Sequence, residues 1–472
     1  MVWPWMTDSA ETLLARPTVA PPLDPEFHPI SLGNREYRKL VSTSDAKASL
    51  AIALERNDGH LSLFRTEIMS PGSGSEAATL LFVERLVKFL LWQIGGWKIT
   101  LGGPRQIGDF IAQVYSRAGA RAFDVALMEQ VYEKPFTVNA VELSQVPAPR
   151  ESSVALGGHL DGCRIGFDLG ASDYKVAAVK EGESVFATEI PWDPRNESNP
   201  DWHYRRINDG LRLAASHLPR VDAIGGSSAG IYIGNKVMVS SLFRAVPAGL
   251  FARKVKPLFL DLAREWDVPF EVANDGDVTA LAGAMSLREN GVLGIAMGSS
   301  QAAGFLDAQG RITGWLNELA FAPVDYHPRA AADEWSGDIG CGVQCFSQQA
   351  VVRLASCAGI ALPAARAADQ LKFVQDLHRM GDPRPPKIFE TIGVYLGYAL
   401  AHYAEMYEFR HLLLLGRVTS GAGGDLIVQK AREVLRADFP ELAQRLSLQL
   451  PDEKSKRVGQ AVAAASLPRI DG

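Results

Sequence analysis

Two similar segments restrict the fold of this chain more than any other feature of the sequence. The first is CRIGFDLGASDYKVAAVK (163–180) and the second is VLGIAMGSSQAAGFL (292–306); each reads as a β-hairpin with a polar, glycine-bearing turn. Helical patterns follow them near residues 203–217 and 345–358. A hairpin-then-helix unit that recurs about 130 residues along the chain indicates two related lobes facing each other. We therefore expect a ligand in the cleft between the lobes.

Length, composition and charge limit the class of protein. A chain of 472 residues is too long for one ordinary domain, so we expect two to three units. With 47% hydrophobic and 22% charged residues, and no apolar run of the ~18 residues that a bilayer requires, we expect no membrane association. A net charge of -6 without a long basic run does not favour nucleic acid as a partner. Four cysteines and no recognisable secretory signal favour a reducing, cytoplasmic location.

The sequence divides into an arm and three units. Residues 1–28 are rich in proline and read as an arm, laid on the surface or disordered. Residues 29–155 read as an α/β unit with a hairpin around Asn57-Asp58-Gly59, a helix ending at Gly95-Gly96, a strand and a second helix. A linker places the boundary near residue 155, and 156–288 and 289–472 are expected to form lobe I and lobe II.

The first motif with a chemical meaning is DLGASDYK, residues 168–175. Gly170 allows the backbone to approach a ligand, Ser172 and nearby N–H groups can donate to phosphate oxygens, and Asp168 can hold a hydrated metal ion. Lys175 completes the same motif. Considered alone, the motif is equally consistent with an ordinary polar hairpin turn.

Two further glycine-rich motifs strengthen the interpretation. Gly298, Ser299 and Ser300 lie at the corresponding turn of the second hairpin, so two loops could bind one polyphosphate from both sides. The third motif, LLLLGRVTSGAGG, is a buried strand that turns into a helix. Its small residues would let a flat base lie against the backbone at the helix N-terminus; the glycines concerned are Gly416, Gly421, Gly423 and Gly424. A single glycine-rich turn usually only ends a strand, but the order of all three is more specific.

These motifs, with VANDGDVTALAGA and NELAFAPVDY, occur in the order seen in the ROK family of sugar kinases, within the actin, Hsp70 and hexokinase superfamily. The resemblance covers roughly the last 300 residues. It implies an α/β fold of two ribonuclease-H-like lobes, with ATP and Mg²⁺ in the cleft. It also implies phosphates between the loops at Gly170 and Gly298, adenosine near 416–424, and phosphorylation of a sugar or polyol hydroxyl.

The same resemblance implies roles for three polar residues. Asn274 would hold the sugar, Asp275 would act as the catalytic base, and Glu318 would accept hydrogen bonds from sugar hydroxyls. A carboxylate that accepts the proton of an attacking hydroxyl typically contributes ~10²- to 10⁴-fold. The alternative is that Asn274 and Asp275 cap the helix that follows them, and the two roles are compatible. Asn235 and Ser241 match a sugar-contact segment only loosely and receive no role.

The chain also departs from the family pattern. Phe321 stands where the family has a histidine, and only Cys341 and Cys345 remain of the family's cysteine cluster. Two thiols cannot supply the four ligands of a structural zinc ion, so no zinc site is expected. The phosphate loop at 300–303 has Ser and Ala where glycine is common. These departures leave open a catalytically weak or inactive sugar- or nucleotide-binding sensor of the same fold.

Some features of the sequence point to other classes of protein. The pentapeptide 226–230, GSSAG, fits the nucleophile elbow of serine hydrolases, but the β-rich sequence after it lacks the required helix. A DNA-binding regulator is disfavoured because the first 150 residues do not read as a winged helix-turn-helix. The N-terminal unit is either a degenerate copy of half an actin-like domain, since 99–115 faintly resembles 412–431, or an unrelated appendage. A homo-oligomer remains open.

Overall fold

A computed structural model describes residues 8–151, 156–450 and 453–470. Within these residues the strands form three sheets of four or five strands and one two-stranded hairpin. No helix in the described ranges is both long enough and apolar enough to span a bilayer. The predicted boundary at residue 155 lies outside the described residues.

The N-terminal unit is a four-stranded sheet with helices against it. Its elements are α1 (Ile30–Thr43), β1 (Lys47–Glu55), β2 (Leu61–Met69), α2 (Glu76–Ile94), β3 (Lys98–Gly102), α3 (Arg105–Val114), α4 (Ala122–Tyr132) and β4 (Thr137–Val141). The predicted hairpin, α2, β3 and α3 are confirmed, and the hairpin turn contains Asp58 in the left-handed region at φ 56°. The pattern analysis missed α1, α4 and β4.

Lobe I contains a five-stranded sheet in the order β11-β8-β5-β6-β7. Strands β5, β6 and β7 form an antiparallel meander, and β8 and β11 run parallel to β5. The elements are β5 (Cys163–Leu169), β6 (Asp173–Lys180), β7 (Glu183–Pro191), α5 (Pro200–Ala215), β8 (Ala223–Ser228), β9 (Ile231–Ile233), β10 (Lys236–Val239), α6 (Ala248–Leu250), α7 (Leu258–Trp266), β11 (Phe270–Asn274) and α8 (Asp275–Leu287).

Lobe II repeats the central part of this arrangement, with the sheet order β13-β12-β14-β15. Strands β12 and β13 are antiparallel, and β14 and β15 run parallel to β12. The elements are β12 (Val292–Met297), β13 (Gln301–Leu306), α9 (Gln348–Cys357), α10 (Ala367–Arg379), α11 (Pro385–Tyr403), β14 (His411–Leu415), α12 (Ala422–Asp438), α13 (Pro440–Arg445), β15 (Ser447–Gln449) and α14 (Glu453–Ala465). The predicted fold class, two ribonuclease-H-like lobes with an N-terminal α/β unit, is confirmed.

The N-terminal sheet has a different topology from the lobes. Strands β1 and β3 are antiparallel, whereas the equivalent central pairs, β5 with β8 and β12 with β14, are parallel. The antiparallel pairing of β1 with β3 is therefore opposite to the parallel pairing of the two central strands in each actin-like lobe. The sheet topology therefore does not support the idea of a degenerate copy.

Two helices cross between the lobes. Helix α8 packs on the lobe II sheet, where Val278 and Leu281 share an apolar cluster with Val292. Helix α14 packs on the lobe I sheet, with Ala461 against β6. The ranges predicted for the lobes, 156–288 and 289–472, therefore each end in a helix that covers the other lobe.

The N-terminal unit and lobe II share one hydrophobic core. Buried side chains of α2, such as Phe89 and Trp92, belong to the same cluster as Tyr403 of α11. The described part of the arm lies on this core: Leu13 is fully buried, and the N–H of Val19 donates to Tyr398 Oη at 3.1 Å. Residues 1–7 of the predicted arm lie outside the described residues.

Candidate active site

A cavity of about 400 Å³ lies between the lobes. Lobe I contributes Asn274 and Asp275, lobe II contributes Glu318 and the β12–β13 turn, and the N-terminal unit contributes Phe123 and Leu127 from α4. The structure thus brings together the predicted residues Asn274, Asp275, Gly298, Ser299, Ser300 and Glu318. The apolar wall from α4 was not predicted, because nothing in the local pattern of α4 distinguishes a cavity wall from a core helix.

Asn274 and Asp275 lie where β11 ends and α8 begins. Asn274 is the N-cap residue: its Oδ1 accepts the N–H of Gly276 at 2.7 Å, and its Nδ2 donates to the Gly230 carbonyl at 2.6 Å. Asp275 is the first helical residue and lies partly buried in the cavity wall. Asp275 Oδ1 accepts the same N–H of Gly276 at 3.1 Å, so both side chains take part in capping, with Asn274 making the shorter contact.

The surroundings of Asp275 make its carboxylate more basic than usual. Burial, together with the negative charge of Asp168, raises the pKa of Asp275 to about 6. Such a group is mostly ionised at pH 7 and still basic enough to take a proton from a hydroxyl. Groups with pKa values moved towards the working pH are concentrated at functional sites.

The pKa of Glu318 is raised further from its ordinary value than that of Asp275. Burial, with added repulsion from Asp275 and Asp277, raises the pKa of Glu318 to about 8. At neutral pH its carboxyl group is therefore protonated, so it can donate one hydrogen bond and accept others. The role of Glu318 as a hydrogen-bond acceptor for sugar hydroxyls stays a prediction.

The C-terminus of α2 holds the segment that carries Glu318. The N–H groups of residues 316, 317 and 318 donate to the carbonyls of Ile94, Gln93 and Trp92 at 3.2, 2.9 and 3.0 Å. The last carbonyls of a helix have no partner within the helix and need one elsewhere. The N-terminal unit therefore takes part directly in positioning Glu318.

Asn317, the residue before Glu318, is fixed by a buried hydrogen-bond network. Its backbone is in the left-handed region at φ 52°. Its Nδ2 donates to Asp277 Oδ1 at 3.0 Å, and its Oδ1 accepts the hydroxyl of Tyr407 at 3.0 Å. Burial raises the pKa of Asp277 to about 7, so the protonated and the ionised forms of this carboxyl group are both populated at neutral pH.

The β12–β13 turn presents free donors to the cavity. The N–H of Gly298 donates to the Ser300 carbonyl at 2.9 Å, which closes the turn. Within the described chain, the N–H groups of Ser299 and Ser300 have no protein acceptor. Exposed backbone N–H groups of this kind can bind phosphate oxygens.

The β5–β6 turn has a similar form but lies beside the cavity, whose lining contains none of the residues 168–175. The N–H of Gly170 closes it by donating to the Asp173 carbonyl at 3.0 Å, and the hydroxyl of Ser172 donates to Asp173 Oδ2 at 2.7 Å. Asp168 accepts from Lys175 at 3.3 Å and from Ser227 at 2.7 Å. The negative charge of Asp168 nevertheless contributes to the raised pKa of Asp275.

No protein-family model and no curated protein sequence matches the chain. Among solved structures, a ROK family transcriptional regulator, a homologue of the E. coli MLC protein, is similar with a TM-score of 0.52 and 19% identity over 65% of this chain and 78% of that chain. The chain has the ROK fold.

Two kinases of the ROK fold are also similar. A ROK family glucokinase from Streptomyces griseus, in complex with glucose and AMPPNP, has a TM-score of 0.49 and 19% identity, over 64% of this chain and 99% of that chain. A ROK hexokinase from Thermus thermophilus has a TM-score of 0.49 and 18% identity, over 64% and 98%. At these identities the comparisons show the fold alone.

The glycines predicted to lie near adenosine are outside the cavity in this ROK fold. A Cβ at Gly416 would lie 2.3 Å from the Met297 carbonyl, and one at Gly424 would lie 2.0 Å from the Thr419 carbonyl. Gly423 is likewise covered by the ring of Phe389. Close packing accounts for these three glycines, whereas Gly421 faces open space.

Phe321 lies on the cavity wall of the ROK fold here and stacks on Trp92. Their ring centroids are 4.3 Å apart, and the ring of Phe123 lies 5.6 Å from Phe321. An aromatic cluster shared by lobe II and the N-terminal unit thus stands where the family resemblance has a histidine.

The two thiols near this wall are buried. Cys341 Sγ donates to Asp338 Oδ2 at 3.4 Å, and burial raises the pKa of both thiols. Among the described residues, no group of three or more His, Cys, Asp or Glu side chains could hold a metal ion. The absence of zinc remains a prediction.

A buried network of charges surrounds Asp338 instead. It joins three cations to three carboxylates, each with a side chain at most 3% exposed: Arg85, Lys88, Arg121, Glu84, Asp124 and Asp338. Asp338 is paired with Arg85 at 3.1 Å, Lys88 at 3.2 Å and Arg121 at 2.7 Å. The charges balance, and the network ties α2 to the loop that carries Cys341.

The serine-hydrolase motif has a different context in the structure. Strand β8 ends at Ser228 and is followed by the β9–β10 hairpin, not by a helix. Ser228 Oγ accepts the hydroxyl of Tyr232 at 2.6 Å. The strained turn of a nucleophile elbow is therefore absent from this segment.

Proposed function

We propose that this protein is an ATP-dependent carbohydrate kinase, which transfers the γ-phosphoryl group to a hydroxyl of a sugar or sugar-like molecule. One observation carries the proposal. Asp275, with a pKa of about 6, shares the interlobe cavity with Glu318 and with the free N–H groups of Ser299 and Ser300. A general base, a polyol-binding group and phosphate donors are the parts that such a transfer needs.

In the proposed reaction the acceptor oxygen forms a bond to the γ-phosphorus as the bond from that phosphorus to the bridging oxygen breaks, which releases ADP. Asp275 takes the hydroxyl proton, and the products are ADP, a sugar phosphate and one proton. Asn274 and protonated Glu318 orient the acceptor hydroxyls, and the turns at Gly170 and Gly298 bind the phosphates. Gly421, which faces open space, supports a place for adenosine beside the 416–424 turn.

Mg²⁺ is the metal that this reaction would require, and the oxygens of Asp168 suit it. Both oxygens already accept hydrogen bonds from Lys175 and Ser227, but a carboxylate has about four acceptor positions. Asp168 could therefore hold a hydrated ion through water. When bound, the ion would neutralise the charge that develops on the phosphates.

The test combines binding and turnover. A nonhydrolysable ATP analogue with Mg²⁺ should raise the melting temperature, because a ligand selective for the folded state stabilises it. ATP consumption should then appear with at least one member of a panel of hexoses, amino sugars and polyols. No thermal shift at millimolar analogue, together with no turnover, would contradict the proposal.

A sugar- or nucleotide-binding sensor of the same fold is the second candidate. The observation that favours it is the packing of Phe321 on Trp92, which leaves an apolar wall in place of a polar sugar contact. For a sensor, sugar or nucleotide binding is expected without ATP consumption in the same panel.

A further inference from the structure

Two arginines line the same cavity and have no role in the proposed chemistry. Arg195 lies between β7 and α5, and Arg244 lies between β10 and α6. Among the described residues neither has a carboxylate oxygen within 4 Å. The guanidinium of Arg195 donates to Ser241 Oγ at 3.5 Å, and its buried Nε–H has no acceptor.

The two positive charges act on each other. Burial, and next the charge of Arg244, lower the pKa of Arg195, the charge of Asp193 opposes them, and the guanidinium stays protonated at neutral pH. Leaving a partly buried charged donor unsatisfied is unfavourable. A planar guanidinium is best satisfied by two oxygens of a carboxylate or a phosphate. The pair is therefore suited to an anion that enters the cavity.

The position of the pair favours the acceptor over the nucleotide. The hydroxyl of Ser240 donates to the Ala229 carbonyl at 2.6 Å, and Asn274 Nδ2 donates to the neighbouring Gly230 carbonyl at 2.6 Å. The segment that leads to Arg244 is thus tied to the same turn as Asn274. Of the two predicted phosphate loops, 298–300 lines this cavity and 168–175 does not.

We infer that the acceptor carries an anionic substituent, a carboxylate or a phosphate, which Arg195 and Arg244 bind. The inference rests on the proposed function for the reaction that follows, but the binding itself does not require turnover. A neutral sugar would offer no charge to the pair and would leave the buried Nε–H of Arg195 without an anionic acceptor. The site would then select against them.

Calorimetric titration of the full-length protein tests the inference. The ligands are glucose, galactose and mannose, each compared with its uronate and its 6-phosphate, and the uronate and phosphate arms distinguish the two kinds of anion. At low salt at least one anionic hexose should bind roughly 10- to 100-fold more tightly than its neutral parent, as expected for charge-assisted hydrogen bonds. This preference should weaken as ionic strength rises.

Substitutions of Arg195 and Arg244 test whether these two residues cause the preference for anionic hexoses. Arg195→Gln with Arg244→Gln should abolish it, and Arg244→Gln alone, at an exposed position, should reduce it without endangering the fold. Arg205→Gln, an exposed position on α5, is the matched control and should keep it. The nonhydrolysable ATP analogue should bind all variants equally.

Three results would overturn the inference: no anionic hexose preferred over its parent, a preference that survives in the double variant, or a double variant that loses the ATP analogue instead. Failure of the proposed function looks different. Tight binding of an anionic hexose without ATP consumption would keep the inference and reject the kinase. Phosphorylation of neutral sugars without a preference for anionic hexoses would support the kinase and reject the inference.

Discussion

Asp275 occupies a position where two opposing effects act on one carboxylate. In the first turn of a helix, the partial positive charge of the N-terminus stabilises an acidic side chain. Burial and the charge of Asp168 act in the other direction and dominate, so the pKa of Asp275 rises to about 6. Asn274 makes the shorter capping contact, and only Oδ1 of Asp275 shares that N–H, at 3.1 Å.

Replacing this carboxylate separates catalysis from capping. If the protein is a kinase, Asp275→Ala should lower kcat by on the order of 10² or more, because the proton of the hydroxyl loses its acceptor. The affinity for a nonhydrolysable ATP analogue should change little. Turnover at the parental rate with a slightly lower melting temperature would mean that Asp275 only supports the helix.

The pH dependence follows from the same group. If the protein is a kinase, its general base must be ionised, so kcat/KM of the parent should rise with pH around a midpoint near 6. The contribution of Asp275 to the free energy of unfolding changes with pH in the opposite direction. The folded-state pKa lies above the ordinary value near 4, so the folded state binds more protons between about pH 4 and pH 6. This contribution is present below pH 4 and is lost as the pH rises through 6; Asp275→Asn should remove it from urea-unfolding curves.

At the scale of elements, α2 combines an almost completely buried surface with charged residues. It places Arg85 and Lys88 beside Asp338 in the network that ties it to lobe II. Burial alone would raise the pKa of Asp338, but the charges of Arg85 and Lys88 outweigh it and hold that pKa below its usual value. The same helix ends in the carbonyls that hold the Glu318 segment.

Removing one member of this network should be costly. Asp338→Asn leaves Arg85, Lys88 and Arg121 with one carboxylate fewer, and an uncompensated buried charge typically costs about 3 to 5 kcal/mol. Urea unfolding should show this loss. Glu67→Gln, which breaks an exposed pair with Lys47 at 3.1 Å, is the control and should have little effect. Equal effects of both substitutions would argue against a stabilising network.

At the scale of the whole molecule, the N-terminal unit and lobe II form one structural half. Its core is continuous with that of lobe II, α4 forms one wall of the cavity, and α2 supports Glu318. Lobe I has a separate apolar cluster. The molecule is thus built of two bodies across one cleft, with α8 and α14 crossing between them.

This architecture predicts which regions unfold together. In native-state hydrogen exchange, amides of α2 and of α11 should open with the same free energy, because their side chains share one core. Amides of strand β5 in lobe I can exchange with a different free energy of opening. Exchange of α2 at a clearly lower free energy than α11 would show instead that the N-terminal unit is an independent appendage.

Short-range patterns predicted the hairpin at Asn57–Gly59, helix α2 and the paired hairpins, and the resemblance carried by the order of the glycine motifs implied the fold class. Turn chemistry and hydrophobic periodicity depend on neighbouring residues, so these features are visible in the sequence. The family resemblance, rather than these local patterns, pointed to Asn274, Asp275 and Glu318, which the structure brings into one cavity.

Other properties were decided only by tertiary structure. Gly416 and Gly424 looked like a base-binding turn, but the carbonyls of Met297 and Thr419 fill the space beside them. The protonation of Glu318 depends on Asp275 and Asp277, and its position depends on Trp92, more than 200 residues earlier in the chain. Local patterns cannot report such contacts, because burial and charge proximity arise only when distant segments pack together.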